Sequence, residues 1–154
     1  MKLIDTHAHL DFPEYDQDRQ KVIARAWDNG LSYIINVGTN LESSKRSIKL
    51  AEEYPFIYAT IGLHPHYANE LDHLLINKFK IMAKNKRVKA IGEIGLDYHY
   101  DNSKRDVQKN SFRKQLEIAK ELELSIVIHS RDADQDTYKI IKEMAGEIDY
   151  AKQG

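Results

Sequence analysis

The sequence predicts an α/β fold on a parallel sheet, a TIM-type (β/α) barrel that is incomplete. Short apolar or β-branched runs recur along the chain, and each is followed by a segment of helical period. The repeat of roughly 30 residues is that of βα barrel units, and about five such units fit.

The first strand is expected at Lys2–Asp5, followed by a helix over Gln17–Asn29 with Val22, Ile23, Ala26 and Trp27 on one stripe and Gly30 as its C-terminal stop. Tyr33–Val37 is the second strand. The helix Leu41–Tyr54 follows and is closed by Pro55, which cannot continue it. Ile57–Ile61 is the third strand, before a helix over Leu71–Asn85 that aligns Leu71, Leu75, Phe79 and Met82. Val88–Ile94 is the fourth strand, and its helix, Ser103–Leu122, aligns Phe112, Leu116, Ala119 and Leu122. A fifth strand at Ile126–Ile128 and a helix at about Asp134–Met144, ending at Gly146, complete the series. Several strands lack polar alternation, as expected where helices cover one face of the sheet and packed side chains the other.

With 154 residues, 42% hydrophobic and 31% charged, the composition fits a single globular domain and excludes a disordered tail. Lysine and arginine number 23 against 24 acids, so no long-range field draws the chain to nucleic acid or an anionic membrane, and any phosphate contact must be local. The absence of cysteine (Cys 0) excludes disulfides, thiolate catalysis and cysteine-rich zinc modules, leaving histidine and carboxylate as metal ligands. No run approaches the roughly 18 apolar residues of a membrane span, and the polar turn at Asp5 argues against a signal peptide. A cytoplasmic protein without a membrane partner is expected. A complete barrel needs about 250 residues, and residues 147–154 lack the apolar run of a sixth strand. The expectation is therefore one partial barrel domain over 1–154, about three units short of eight.

The chemistry-bearing residues gather at strand ends. In Asp5-Thr6-His7-Ala8-His9 the two-residue period of a strand projects His7 and His9 to one face, where two imidazoles can meet one ion or simply hydrogen-bond at a strand end. Glu93 lies between Gly92 and Gly95 in an apolar strand, so it needs a cation or a proton, with the glycines leaving room beside it. His129 directly follows the fifth apolar run. Ligands from three strands thus reach the C-terminal rim, the active-site face of a βα barrel. His64 and His66, stiffened by Pro65, present two more imidazoles there, either to a phosphate or as a rigid turn. Arg131 has the planar fork suited to phosphate, with Asp132 and Asp134 as alternative partners. Tyr98 and Tyr100 are candidates for base stacking or for packing, and His73 and His99 for plain surface positions. The basic run from Lys78 to Lys89 falls at the opposite end of the strands, where it complements a helix terminus rather than a nucleic acid.

The segments Asp5–Asp11, Gly62–His66, Gly92–Tyr98 and Ile128–Ala133, with the Arg105, Gln108, Phe112, Gln115 and Leu116 pattern between them, resemble the TatD family of metal-dependent deoxyribonucleases, within the amidohydrolase-like barrels. The resemblance implies a two-metal site binding magnesium or zinc, with His7 and His9 on the first ion, Glu93 bridging and His129 on the second. It also implies that His64, His66 and Arg131 face a DNA substrate. The family's histidine after the sixth strand and aspartate after the eighth fall beyond the five units, so impaired nuclease activity is expected of these 154 residues. The alternatives are an amidohydrolase acting on an amide, ester or lactone, and an inactive fragment that binds metal or self-associates. Open edges at Lys2–Asp5 and Ile126–Ile128 invite pairing with another chain.

Overall fold

All five short apolar runs form strands, and each strand pairs in parallel with the next in sequence, giving the sheet order β1-β2-β3-β4-β5. The structure, a computed structural model, describes residues 3–146. The strands β1 (Leu3–Ala8), β2 (Leu31–Val37), β3 (Ile57–Ile61), β4 (Val88–Asp97) and β5 (Ser125–Arg131) alternate with helices α1 (Arg19–Asp28), α2 (Leu41–Glu53), α3 (His73–Met82), α4 (Arg105–Glu121) and α5 (Asp134–Gly146). A doubly wound sheet reverses its strand order at a switch point. Here the order never reverses, as in a barrel wall.

Local chemistry sets most boundaries. Asn40 caps α2 by accepting the Ser43 N–H at 2.9 Å, and Tyr54, driven extended by the following proline, ends it. Gly30 follows α1 with φ +90°, the left-handed conformation expected of a residue just past a helix end. Helix α3 starts two residues later than expected. Pro65–Glu70 forms a 3-10 turn, and the Asp72 carboxylate then accepts the Leu75 N–H at 2.7 Å, leaving Leu71 outside the helix.

Strands β1, β4 and β5 run further than expected, to Ala8, Asp97 and Arg131; His129 pairs with Gly95 in the ladder, whereas His7 and Glu93 lie at register irregularities, between Asp5 and Ala8 and between Ile91 and Ile94. Lys2 and residues 147–154 lie outside the described residues.

The core sits between β3, β4 and the helices, with Ile57, Ala59, Ile61, Ile91, Ile94, Phe79, Phe112 and Ile140 all buried. Burial fades toward the flanks, where β1 and β5 are the outer strands as expected. At the end remote from the histidines, Arg87 donates to the Ala51 carbonyl at 2.6 Å and lies with Lys89 over the Tyr58 ring, while Lys80 pairs with Glu121. Lys80, Arg87 and Lys89 of the basic run are thus engaged with neighbouring side chains and backbone. No helix among the described residues is long and apolar enough to cross a membrane.

Candidate metal centre

His7 on β1 and His9, one residue past the strand's end, bring their Nε2 atoms to 3.2 Å apart. Each Nε2 is 3.6 Å from Oε2 of Glu93, three strands away. The other nitrogen of His9, Nδ1, lies 2.9 Å from the Val37 carbonyl, which favours a proton there and leaves the Nε2 lone pair toward Glu93. Phe12 stacks on the His9 ring at 4.6 Å.

The chain leaving β1 is tied down by a buried polar network. Leu10 donates its N–H to Oδ1 of Asn36 at 2.6 Å, and Nδ2 of Asn36 donates to Asp11 and Ser47. Ser43 donates its hydroxyl to the second Asp11 oxygen at 2.7 Å.

Glu93 is buried, yet its carboxyl lies below the usual carboxylate range. Burial alone would raise it, but the His129 hydrogen bond and the fields of His64 and His7 outweigh burial. The space expected beside Gly92 and Gly95 is filled by β5. A Cβ on Gly92 would meet the Val127 Cβ at 2.6 Å, and one on Gly95, where φ is +144°, would meet the His129 carbonyl oxygen at 2.0 Å. The glycines let the two backbones approach, which brings His129 to Glu93. Nδ1 of His129 lies 3.0 Å from Oε1 of Glu93, and Nε2 lies 3.0 Å from Oδ2 of Asp97. Hydrogen bonding to Glu93 first, and to Asp97, raises the His129 pKa against the effect of burial.

His64, expected to face substrate, is buried behind His129 with ring centroids 4.3 Å apart. Burial and the neighbouring His129 push its pKa down to about 4, so it is neutral at pH 7, the form that ligates metals. Two donor groups result, His7–His9–Glu93 and His64–Glu93–His129, the ligand atoms of each lying within 4.8 Å of one another. Their composition fits divalent cations: imidazoles supply neutral donors, and a carboxylate common to both groups can bridge.

His66 and Arg131 stand further out. Nε2 of His66 lies 2.9 Å from Oδ2 of Asp97, and the Arg131 guanidinium lies 4.8 Å from the centre of the Tyr100 ring. Neither aspartate considered as a partner for Arg131 takes that role, since Asp132 pairs with His99 at 3.0 Å and Asp134 accepts from Ser130.

Sequence reasoning assigned no role to Asp97 or to the two glutamines of α4. The buried Asp97 carboxylate accepts the His99 and Tyr100 N–H groups with one oxygen and faces His66 and His129 with the other. Burial would raise its pKa, but the Tyr100 N–H and the two imidazoles hold it at about 2. Gln115 caps both backbone groups of Leu63, and Gln108 those of Asp97, so α4 holds the exits of β3 and β4. An acid closing an apolar strand, and two buried amides seven residues apart on a helix, are the signals that could have marked them.

Comparison with known proteins agrees with this architecture. YabD of Bacillus subtilis (strain 168), named an uncharacterized metal-dependent hydrolase, is 44% identical over 145 residues, covering 94% of this chain and 57% of that protein. A protein named 3'-5' ssDNA/RNA exonuclease TatD, from Salmonella typhimurium, is 35% identical over 133 residues, 86% of this chain and 51% of its own. The chain thus spans about half the length of the curated relatives it matches. The crystal structure of the TatD homolog YJJV from Escherichia coli K12 superposes with a TM-score of 0.85 at 32% identity, covering 92% of this chain and 56% of that one. A TatD family hydrolase from Entamoeba histolytica gives a TM-score of 0.86 at 28% identity, with coverages of 94% and 55%. Residues 4–150 match the family described as TatD related DNase, and the chain belongs to that family.

Proposed function

We propose that this chain carries most of the metal-binding apparatus of a phosphodiester hydrolase acting on nucleic acid. The observation that carries the proposal is the single buried carboxylate, Glu93, common to both groups of ligand atoms. In this reading His7 and His9 hold one divalent cation, Glu93 bridges, and His129 with His64 holds a second, magnesium and zinc both suiting such donors. Bound there, a cation pair would supply Lewis acidity toward a phosphoryl oxygen and favour deprotonation of water.

The protein's own contribution is orientation. Val37 holds His9 by its ring nitrogen, and Asp97 holds His66 and His129. Four donors engage the Asp97 carboxylate, so it positions imidazoles and is not free to take a proton from water. His66 and Arg131 supply donors toward substrate phosphate. The exonuclease name of one relative supports single-stranded nucleic acid as the substrate class.

We read residues 1–154 as one domain of a barrel about three βα units short of eight, which relatives of about twice the length support. A cysteine-free composition (Cys 0) supports a cytoplasmic location.

The test is metal stoichiometry by elemental analysis, with single-stranded oligonucleotide cleavage measured beside it. Removing the shared oxygens in Glu93→Ala should release metal from both groups and abolish whatever cleavage the chain has. Unchanged stoichiometry would overturn the ligand assignment. Turnover of a lactone with none of DNA would overturn the substrate class.

A further inference from the structure

We propose that Tyr100 is the seat of an unpaired nucleobase next to the phosphate being cleaved, an inference that rests on the nucleic-acid reading above. The two tyrosines leaving β4 have different surroundings. Tyr98 is a packing residue: its hydroxyl donates to Asp136 at 2.7 Å and the Arg105 guanidinium lies 4.3 Å from its ring centre. Tyr100 is 54% exposed, and its ring meets His66, His99 and Arg131.

Arg131 lies over the Tyr100 ring at 4.8 Å, and His66 and His99 meet it edge-on at centroid distances of 5.5 and 4.7 Å. Both imidazoles stand nearly perpendicular to the Tyr100 ring, and the residue still keeps 54% of its surface open. Arg131 adds a guanidinium that has no carboxylate partner among the described residues, so its N–H fork is open to a phosphate. An exposed aromatic ring in contact with a guanidinium that no carboxylate holds matches one nucleotide, base on the open part of the ring and phosphate on the fork.

The seat is also in register with the chemistry. One Asp97 oxygen accepts the Tyr100 N–H at 2.9 Å, and the other faces His129 at 3.0 Å, which in turn reaches Glu93. A single buried carboxylate therefore fixes the Tyr100 loop and the second donor group relative to one another. Stacking needs an exposed base face, which duplex pairing hides, so the seat selects single strands or frayed ends.

The test compares the magnesium-loaded chain binding a labelled short oligothymidylate, an abasic oligomer of the same length, and the same sequence in a duplex. Fluorescence anisotropy reads the binding, and gels check that the oligomers stay intact. The wild-type chain should bind the base-bearing strand about tenfold more tightly than the abasic one. Tyr100→Ala should remove most of that preference while changing abasic binding less than twofold, and Tyr100→Phe should keep it, since the ring and not the hydroxyl does the stacking. Equal affinity for base-bearing and abasic strands, or equal weakening of both by Tyr100→Ala, would overturn the base seat and leave the nucleic-acid reading standing. A preference for the duplex would also overturn it. Failure to bind any oligonucleotide while metal is bound would overturn both.

Discussion

His64 is held neutral by burial and by His129, and Asp97 is held ionised by the Tyr100 N–H and two imidazoles; both states have consequences for stability. His64 ordinarily titrates at 6.5, but in the fold burial and His129 lower it to about 4. Its folded form binds a proton less readily than its unfolded form, so its contribution is complete above pH 6.5 and is lost as pH falls toward about 4. Asp97 follows the same sign one step lower, contributing above its ordinary 3.8 and losing that contribution as pH falls through about 2. His129, raised by Glu93, works the other way, stabilising below its ordinary 6.5 and losing effect as pH rises through its folded value. In EDTA, the Tm of wild-type protein should therefore fall between pH 6.5 and 4 more steeply than that of His64→Gln, in which the His129 contribution is still present. Parallel profiles would show that burial of His64 carries no proton linkage.

Helix α4 acts as a frame through two amides on one of its faces. Gln115 Oε1 accepts the Leu63 N–H at 2.8 Å and its Nε2 donates to the Leu63 carbonyl at 3.0 Å. Gln108 repeats this on Asp97 and adds the Ser103 carbonyl at 2.7 Å. These glutamines hold backbone with side chains, Gln115 at Leu63, past the end of β3 and next to His64 in the chain, and Gln108 at Asp97, the last residue of β4. Gln115→Leu leaves two buried backbone groups unpaired, each costing about 1–3 kcal/mol, so urea denaturation should give a loss within the sum of those terms. A loss under about 0.5 kcal/mol, the range of ordinary surface substitutions, would show that the clamp is dispensable. The seven-residue spacing of Gln108 and Gln115 places both on one face of the helix, but which backbone groups they clamp depends on the strands that the face meets.

At the scale of the whole molecule, burial is uneven across the sheet. β4 is buried at all but one of its positions, whereas the flanks leave Leu3 42%, Ile4 56% and Ile126 38% exposed. Among the described residues β1 and β5 each have one strand neighbour, so both flanks present unpaired backbone there. Relatives of nearly twice the length have further chain available to cover such flanks. For the 154 residues alone, the expected outcome is concentration-dependent association seen by light scattering, reduced in Ile4→Lys and Ile126→Lys, where a charge is set on each edge. A monomer at all concentrations would show that the edges are not adhesive.

What the sequence determined by itself was local in origin. Period-two spacing put His7 and His9 on one face, apolar runs marked every strand, and β3 has the expected bounds of Ile57–Ile61. Helix stops at Gly30 and before Pro55 follow equally from backbone chemistry. What tertiary structure decided was partnership: that Glu93 is common to two groups of candidate donors, that His64 is buried beside Glu93 and His129, and that Tyr98 packs while Tyr100 stays open. It also decided that Gly92 and Gly95 make room for a neighbouring strand. Such facts depend on register between strands and on the paths of loops anchored from α4. Those are set by contacts between residues tens of positions apart, which no local periodicity encodes.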